Sequence, residues 1–322
     1  MNRQQFENRK AAGWRELEEK VRRLEKKGET AEAVRVPSLF RQICRDLSLA
    51  QYRMYGTRIS DRLNSLSMRS YRLIHSSRGG IGEGAIRFIC ATFPAAVRRE
   101  WRLLVVSSLL FWLPFILLWW SATREIAWVQ ATLGAETMMA LEESYGKGAS
   151  EVIEQRQEPG ANFLMFGHYI QNNVGIDFKL FAGGILFGMG TIFFQMFNGI
   201  YIGAMFGYVS YAGDPEKLLS FAAGHSSFEL LGMIVVGMAG LKIGFSMLSP
   251  GHLSRTQALT KAGREALPLL IGGASMTALA AVVEGFWSAQ PVGYTTKYLV
   301  GIFFWVAHLL YFVVVGRRSD GS

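Results

Sequence analysis

Apolar residues are arranged in two different ways along this chain, and the arrangement changes near residue 100. In the first part they recur at three- and four-residue steps among charged neighbours. Over residues 4–27 these are Phe6, Ala11, Trp14, Leu17, Val21 and Leu24; over about 37–64 they are Leu39, Ile43, Leu47, Tyr52, Tyr55, Ile59 and Leu63. That spacing lays a single apolar stripe along a helix. It predicts two helices that pack on each other, with Gly28 ending the first and Thr30 capping the next. The opposite face of the second carries Arg41 and Arg45, expected in solvent, and Arg53, Arg58 and Arg62, expected at lipid headgroups. A looser piece with Ser76, Ser77, Gly79, Gly80 and Gly82 leads to residues 84–100, GAIRFICATFPAAVRRE, which predict an amphipathic helix on a membrane surface.

Beyond residue 100 the stripes merge into continuous apolar runs. Trp101–Ser121 is long enough for a hydrocarbon core that takes about 20 helical residues. Further spans are predicted at about 219–248, 266–288 and 297–315. Residues 178–212 are harder to place, because one helix of that length would measure roughly 52 Å against a core of about 30 Å. A hairpin folding back near Gln195–Gly199 accommodates the length, with Gly199, Gly203 and Gly207 forming one smooth face and Gly184 and Gly188 another. The expected fold class is all-α. A basic helical domain, 1–98, precedes a transmembrane bundle, 99–322, with an acidic outer segment at 122–160.

Charge sets the expected orientation. Residues 1–102 hold 22 Lys and Arg against 11 Asp and Glu, whereas the rest hold 12 against 14. Arg98, Arg99 and Arg102 flank the first span as membrane-surface basic residues, which places the N-terminus in the cytoplasm by the positive-inside rule. Topology and anionic lipid account for these arginines without nucleic acid. With 178–212 as a hairpin the chain crosses six times, and the loop with Arg255, Lys261 and Arg264 and the final Arg317–Arg318 then share the basic side. The start, MNRQQFENRK, lacks a removable signal pattern. Cys44 and Cys90 both precede the first span and are expected to stay reduced.

Few residues offer chemistry. Asn172, Asn173 and Asp177 form a polar helix entry, and Asn198, His225, Glu229 and Glu284 an expected intramembrane polar cluster, since such groups at membrane depth must face protein or a wet cavity. His225 and Glu229 share one helix face four residues apart, but no second histidine follows at metal-site spacing. No catalytic residue, metal or cofactor is assigned. Glu142 and Glu143 are adjacent, so they do not face each other on a helix and read as a solvated face.

Four stretches carry a family resemblance: Asn172–Gly207, Gly224–Gly244, the loop PGHLSRTQALTKAGREA, and Ala280–Ala289. In their order they resemble the stage II sporulation protein M family. The resemblance implies a polytopic protein of the bacterial cytoplasmic (inner) membrane that holds envelope proteins in place, working as an oligomer or hetero-complex, with a MoxR-type ATPase as a partner. It departs from the family at Gly224, where proline is more usual, and in its long basic N-terminal region. The function expected is a non-enzymatic scaffold. The alternative is a permease- or channel-like component with a broken-helix path at Asn198.

Overall fold

A computed structural model describes residues 2–27, 36–75, 81–122, 124–146 and 160–317. Gly28, Thr30, Ser76, Ser77, Gly79, Gly80, Lys147, Glu151, Glu154, Arg156, Glu158 and Arg318 lie outside the described residues. The described residues are helical and divide into two compact units, 1–84 and 85–322. The boundary therefore precedes the expected one at residue 98.

The first unit holds α1 (Arg3–Lys27), α2 (Val36–Tyr52) and α3 (Thr57–His75). The predicted stripes form its core, with Phe6, Trp14, Leu17, Val21 and Leu24 packed against Ile43, Ile59, Leu63 and Leu66. The helix expected over 37–64 is broken at residues 53–56, where Met54 (φ 50°) and Gly56 (φ 101°) take left-handed backbone. One buried polar contact fixes the register: Trp14 Nε1 donates to Asp46 Oδ2 at 3.0 Å, and Lys10 Nζ stands 3.2 Å from the same carboxylate. Arg62, expected at headgroups, instead pairs with Glu18 at 2.9 Å, and Arg69 pairs with Glu25 at 2.6 Å.

The second unit begins within α4 (Ile81–Arg87), passes a wide π turn (Phe88–Thr92) and continues as α5 (Phe93–Arg99). Phe93, Ala96 and Val97 are buried in the bundle core, so α5 packs on protein rather than only on lipid. After α6 (Trp101–Ala122) comes α7 (Ala127–Tyr145), kinked at Gly134 (φ 73°). Then follow α8 (Ala161–Tyr169), a second π turn (Ile170–Val174), α9 (Gly175–Gly183) and α10 (Met189–Ala212). The chain continues through α11 (Pro215–Ala223), α12 (Ser226–Leu248) and α13 (Arg255–Val283). A third π turn (Glu284–Ser288) leads to α14 (Tyr294–Val314). Among the described residues five stretches are long and apolar enough to cross a membrane: 101–121, 189–212, 226–248, 255–288 and 294–314.

The hairpin exists, but its turn lies earlier than expected. α10 runs unbroken through Gln195–Gly199, and the chain reverses at residues 184–188, where Phe187 (φ 55°) and Gly188 (φ 83°) are left-handed. Length misplaced the turn because the first arm starts at Ala161, well before residue 178. Three consecutive pieces of 9, 5 and 9 residues form it, so two full arms fit. Gly184 and Gly188 belong to the turn and face Gly240 and Gly244 of α12.

Glycines fix the helix directions. Gly199, Gly203 and Gly207 of α10 rest on Phe111, Phe115 and Ala122 of α6, so these two helices run parallel. Parallel neighbours need a return crossing between them, and the α8–α9 arm supplies it. α12 runs antiparallel to α10, with Gly237 beside Gln195 and Gly240 beside Thr191; α13 reverses again, with Gly273 beside Gly232. At the far end of the chain, Arg98 Nη1 donates to Phe312 O at 3.0 Å and Val315 O at 2.6 Å. The start of α6 and the end of α14 therefore lie at the same end of the bundle.

Candidate functional site

The strongest concentration of buried polar groups is built at the junction of α11 and α12. Asp214 caps α11, accepting from Glu216 N at 3.1 Å. The helix stops at Gly224, where a Cβ would collide with the ring of Trp287. The next residue, His225, opens α12 and is buried. One turn on, Glu229 Oε2 stands 3.8 Å from His225 Nε2. Glu284 Oε1 approaches the same nitrogen at 4.0 Å from the π turn that ends α13. The ligand-bearing atoms of these three residues all lie within 4.8 Å of one another.

The other imidazole nitrogen, Nδ1, is 2.9 Å from Ser288 Oγ, on the same π turn as Glu284. A π turn widens the helix locally, and such turns are frequent at functional sites. Here it lets one short segment meet both sides of the histidine ring. Ser288 is held in turn by Lys297, whose ammonium donates to its carbonyl at 2.7 Å and is itself buried.

Asp177 enters from α9. It is 1% exposed, and neither carboxylate oxygen has a hydrogen-bond partner among the described residues. Thr277 lies beside it, but that hydroxyl donates to Gly273 O at 3.2 Å. Asn173 is also buried, and Asn172 Nδ2 donates to its Oδ1 at 2.8 Å.

Of the cluster expected from sequence, His225, Glu229 and Glu284 converge. Asn198 does not join them: its amide donates to Phe194 O at 2.7 Å within its own helix. Asp177, expected as part of a helix entry, lies buried inside the α8–α9 arm. Ser288 and Lys297 were missed by sequence reasoning. Lys297 carried no readable signal, since it follows Thr295 and Thr296 in the first turn of the last span, where a lysine ordinarily reaches the interface. The expectation of no metal rested on the missing second histidine; the structure brings Glu284 in as a third ligand-bearing group.

The basic residues are used differently from one another. Arg98 binds the last carbonyls of α14, Arg99 Nε stands 3.3 Å from Glu100 Oε1, and Arg102 lies over the Trp101 ring at 5.6 Å. Lys242 joins Glu100 at 2.6 Å and Glu265 at 2.9 Å.

Fold and cluster together define a helical membrane protein whose bundle encloses a histidine and several carboxylates. The family model of Stage II sporulation protein M matches residues 107–289, over half of the chain. The chain belongs to that family. Residues 4–76 match a second family, described as a Domain of unknown function (DUF8413). Among curated proteins the chain is similar to Uncharacterized protein MJ0793 of Methanocaldococcus jannaschii, 32% identical over 83 residues, which are 26% of this chain and 47% of that protein. The chain thus spans about half the length of the curated relative it matches. No solved structure matches it.

Proposed function

We propose that this protein is a non-enzymatic multi-pass scaffold of the inner membrane that positions or stabilises an envelope complex. The observation that carries this reading is the packing of the membrane unit. Gly184, Gly199, Gly203, Gly232, Gly237 and Gly240 each lie against a neighbouring helix with no room for a Cβ. Backbones in contact at so many points favour a rigid frame. A separate 84-residue helical unit with its own core then provides a partner-binding module.

In this reading the N-terminus is cytoplasmic and the chain crosses six times, with α8–α9 as the crossing additional to the five apolar spans. Arg98, Arg99, Lys242 and Arg255 mark the cytoplasmic end, and α7 lies at the outer one, in keeping with the positive-inside rule. A MoxR-type ATPase is the partner the family suggests for the cytoplasmic unit, and the protein works as an oligomer or hetero-complex. The permease alternative depended on a helix broken at Asn198, and α10 is continuous there.

The test is cross-linking mass spectrometry in native membranes, combined with solute flux in proteoliposomes of the purified chain. Cross-links to a defined partner set at residues 2–75 and 127–145, with no flux above empty liposomes, are the expected outcome. A chain that conducts solute by itself, with no reproducible partner, overturns the proposal.

A further inference from the structure

We infer that His225, Glu229 and Glu284 hold a divalent transition-metal ion, which ties α12 to the end of α13. Charge is the first reason. Two carboxylates, Glu229 and Glu284, are largely buried against one imidazole nitrogen, and the imidazole adds no negative charge. Ionised, the pair carries a formal charge of −2, which one divalent cation neutralises. Without a cation, that much negative charge in a poorly solvated interior is costly, because charge buried away from water must be paired or must bind metal.

Donor chemistry selects the class of ion. One imidazole with several carboxylates suits zinc, manganese or ferrous iron, whereas an oxygen-only set would suit magnesium or calcium. The ring is oriented as a ligand. In the tautomer protonated at Nδ1, Ser288 Oγ, 2.9 Å away, accepts that proton, and the Nε2 lone pair is left facing Glu229 and Glu284. Metal-binding histidines ordinarily have such a partner on the other nitrogen. Lys297 holds the Ser288 carbonyl and so fixes that segment.

Geometry permits the ion after a small closure. Metal–ligand distances of about 2.1 Å put tetrahedral ligands roughly 3.4 Å apart, against 3.8 and 4.0 Å here.

The experiment uses the full-length protein in nanodiscs, stripped with chelator and titrated with Co2+ and then Zn2+. The expected result is one equivalent of Co2+ per chain, a visible d–d spectrum, and its displacement by Zn2+. Zinc-edge X-ray absorption of the loaded wild type is expected to show a single imidazole, oxygen ligands and no sulfur. Glu229→Gln and Glu284→Gln should each weaken binding at least tenfold, and Ser288→Ala, which removes no ligand, should weaken it by about 10–100-fold. Absence of stoichiometric binding by the wild type overturns the inference. So does a zinc shell containing sulfur or several imidazoles, or binding unchanged in all three variants. Because the absorption spectrum is read on the wild type, it decides the question even if the variants fail to fold.

Discussion

Replacing Gly203 by alanine tests whether the seam between α6 and α10 is as tight as the structure requires. An ideal Cβ at residue 203 would sit 2.8 Å from Phe115 Cα and 3.0 Å from its carbonyl carbon. Carbon atoms in good contact are about 3.5–4.0 Å apart, so the helices must separate by roughly 0.7 Å or more. A gap of 0.5–1 Å forfeits about a quarter to a half of each dispersion contact along the seam. Overpacking of this kind costs about 1–3 kcal/mol. Alanine's better helix propensity returns about 1 kcal/mol, so the net loss expected is up to about 2 kcal/mol. Gly175→Ala and Gly263→Ala are internal controls, because both are helical and neither Cβ would meet an atom within 4 Å. They should be neutral or stabilising. Steric trapping in bicelles measures all three on one scale. Equal effects at 203, 175 and 263 would refute the reasoning.

In the first unit, Trp14→Phe removes the donor to Asp46 and leaves a buried carboxylate with Lys10 alone; urea unfolding should show a loss of about 1–3 kcal/mol. The hydrogen bond from Arg69 holds the Glu25 carboxyl below its ordinary 4.5. Because its folded value is the lower one, its stabilisation is present above pH 4.5 and is lost as the pH falls through that folded value. Both partners are partly exposed, so the effect stays under about 1 kcal/mol and shrinks with salt; Arg69→Gln should abolish this part of the acid dependence. Arg98→Gln removes the donor that caps the Phe312 and Val315 carbonyls, and hydrogen exchange should rise in the last turn of α14 while the centre of α12 is unchanged. Reporter fusions at the two termini should fall on one side of the membrane; opposite sides would rule out the even number of crossings.

The apolar pattern carried the class of fold, because a three- to four-residue stripe and a twenty-residue apolar run have different physical consequences that need no neighbour to define them. Phe6, Trp14, Leu17 and Val21 are core residues for that reason. The glycine face of α10 was equally readable, since Gly199, Gly203 and Gly207 at steps of four can only make one flat side. Its packing partner was not readable. The fold-back was misplaced because it was set by the length of 178–212 alone; in the helix Asn198 satisfies its amide on Phe194 and leaves the backbone intact. The real turn uses Phe187 and Gly188, and a left-handed phenylalanine has no signature in composition.

The cluster was half legible for a related physical reason. His225 and Glu229 are fixed by local geometry, one helical turn apart, and a sequence displays that directly. Glu284 was expected there as a polar group at membrane depth, but it reaches His225, as Ser288 and Lys297 do, only through tertiary packing. Two devices bring them there: the π turn that ends α13 and the lysine that holds Ser288. Each departs from regular helix or from apolar composition at a cost in local stability. Such costs persist in a membrane bundle only where the groups they bring together are stabilised in return. If the departures were incidental, Ser288→Ala and Lys297→Met would leave the position of Glu284 undisturbed. If they exist to assemble the carboxylates around His225, both substitutions should release the π turn, seen as faster amide exchange across residues 284–288.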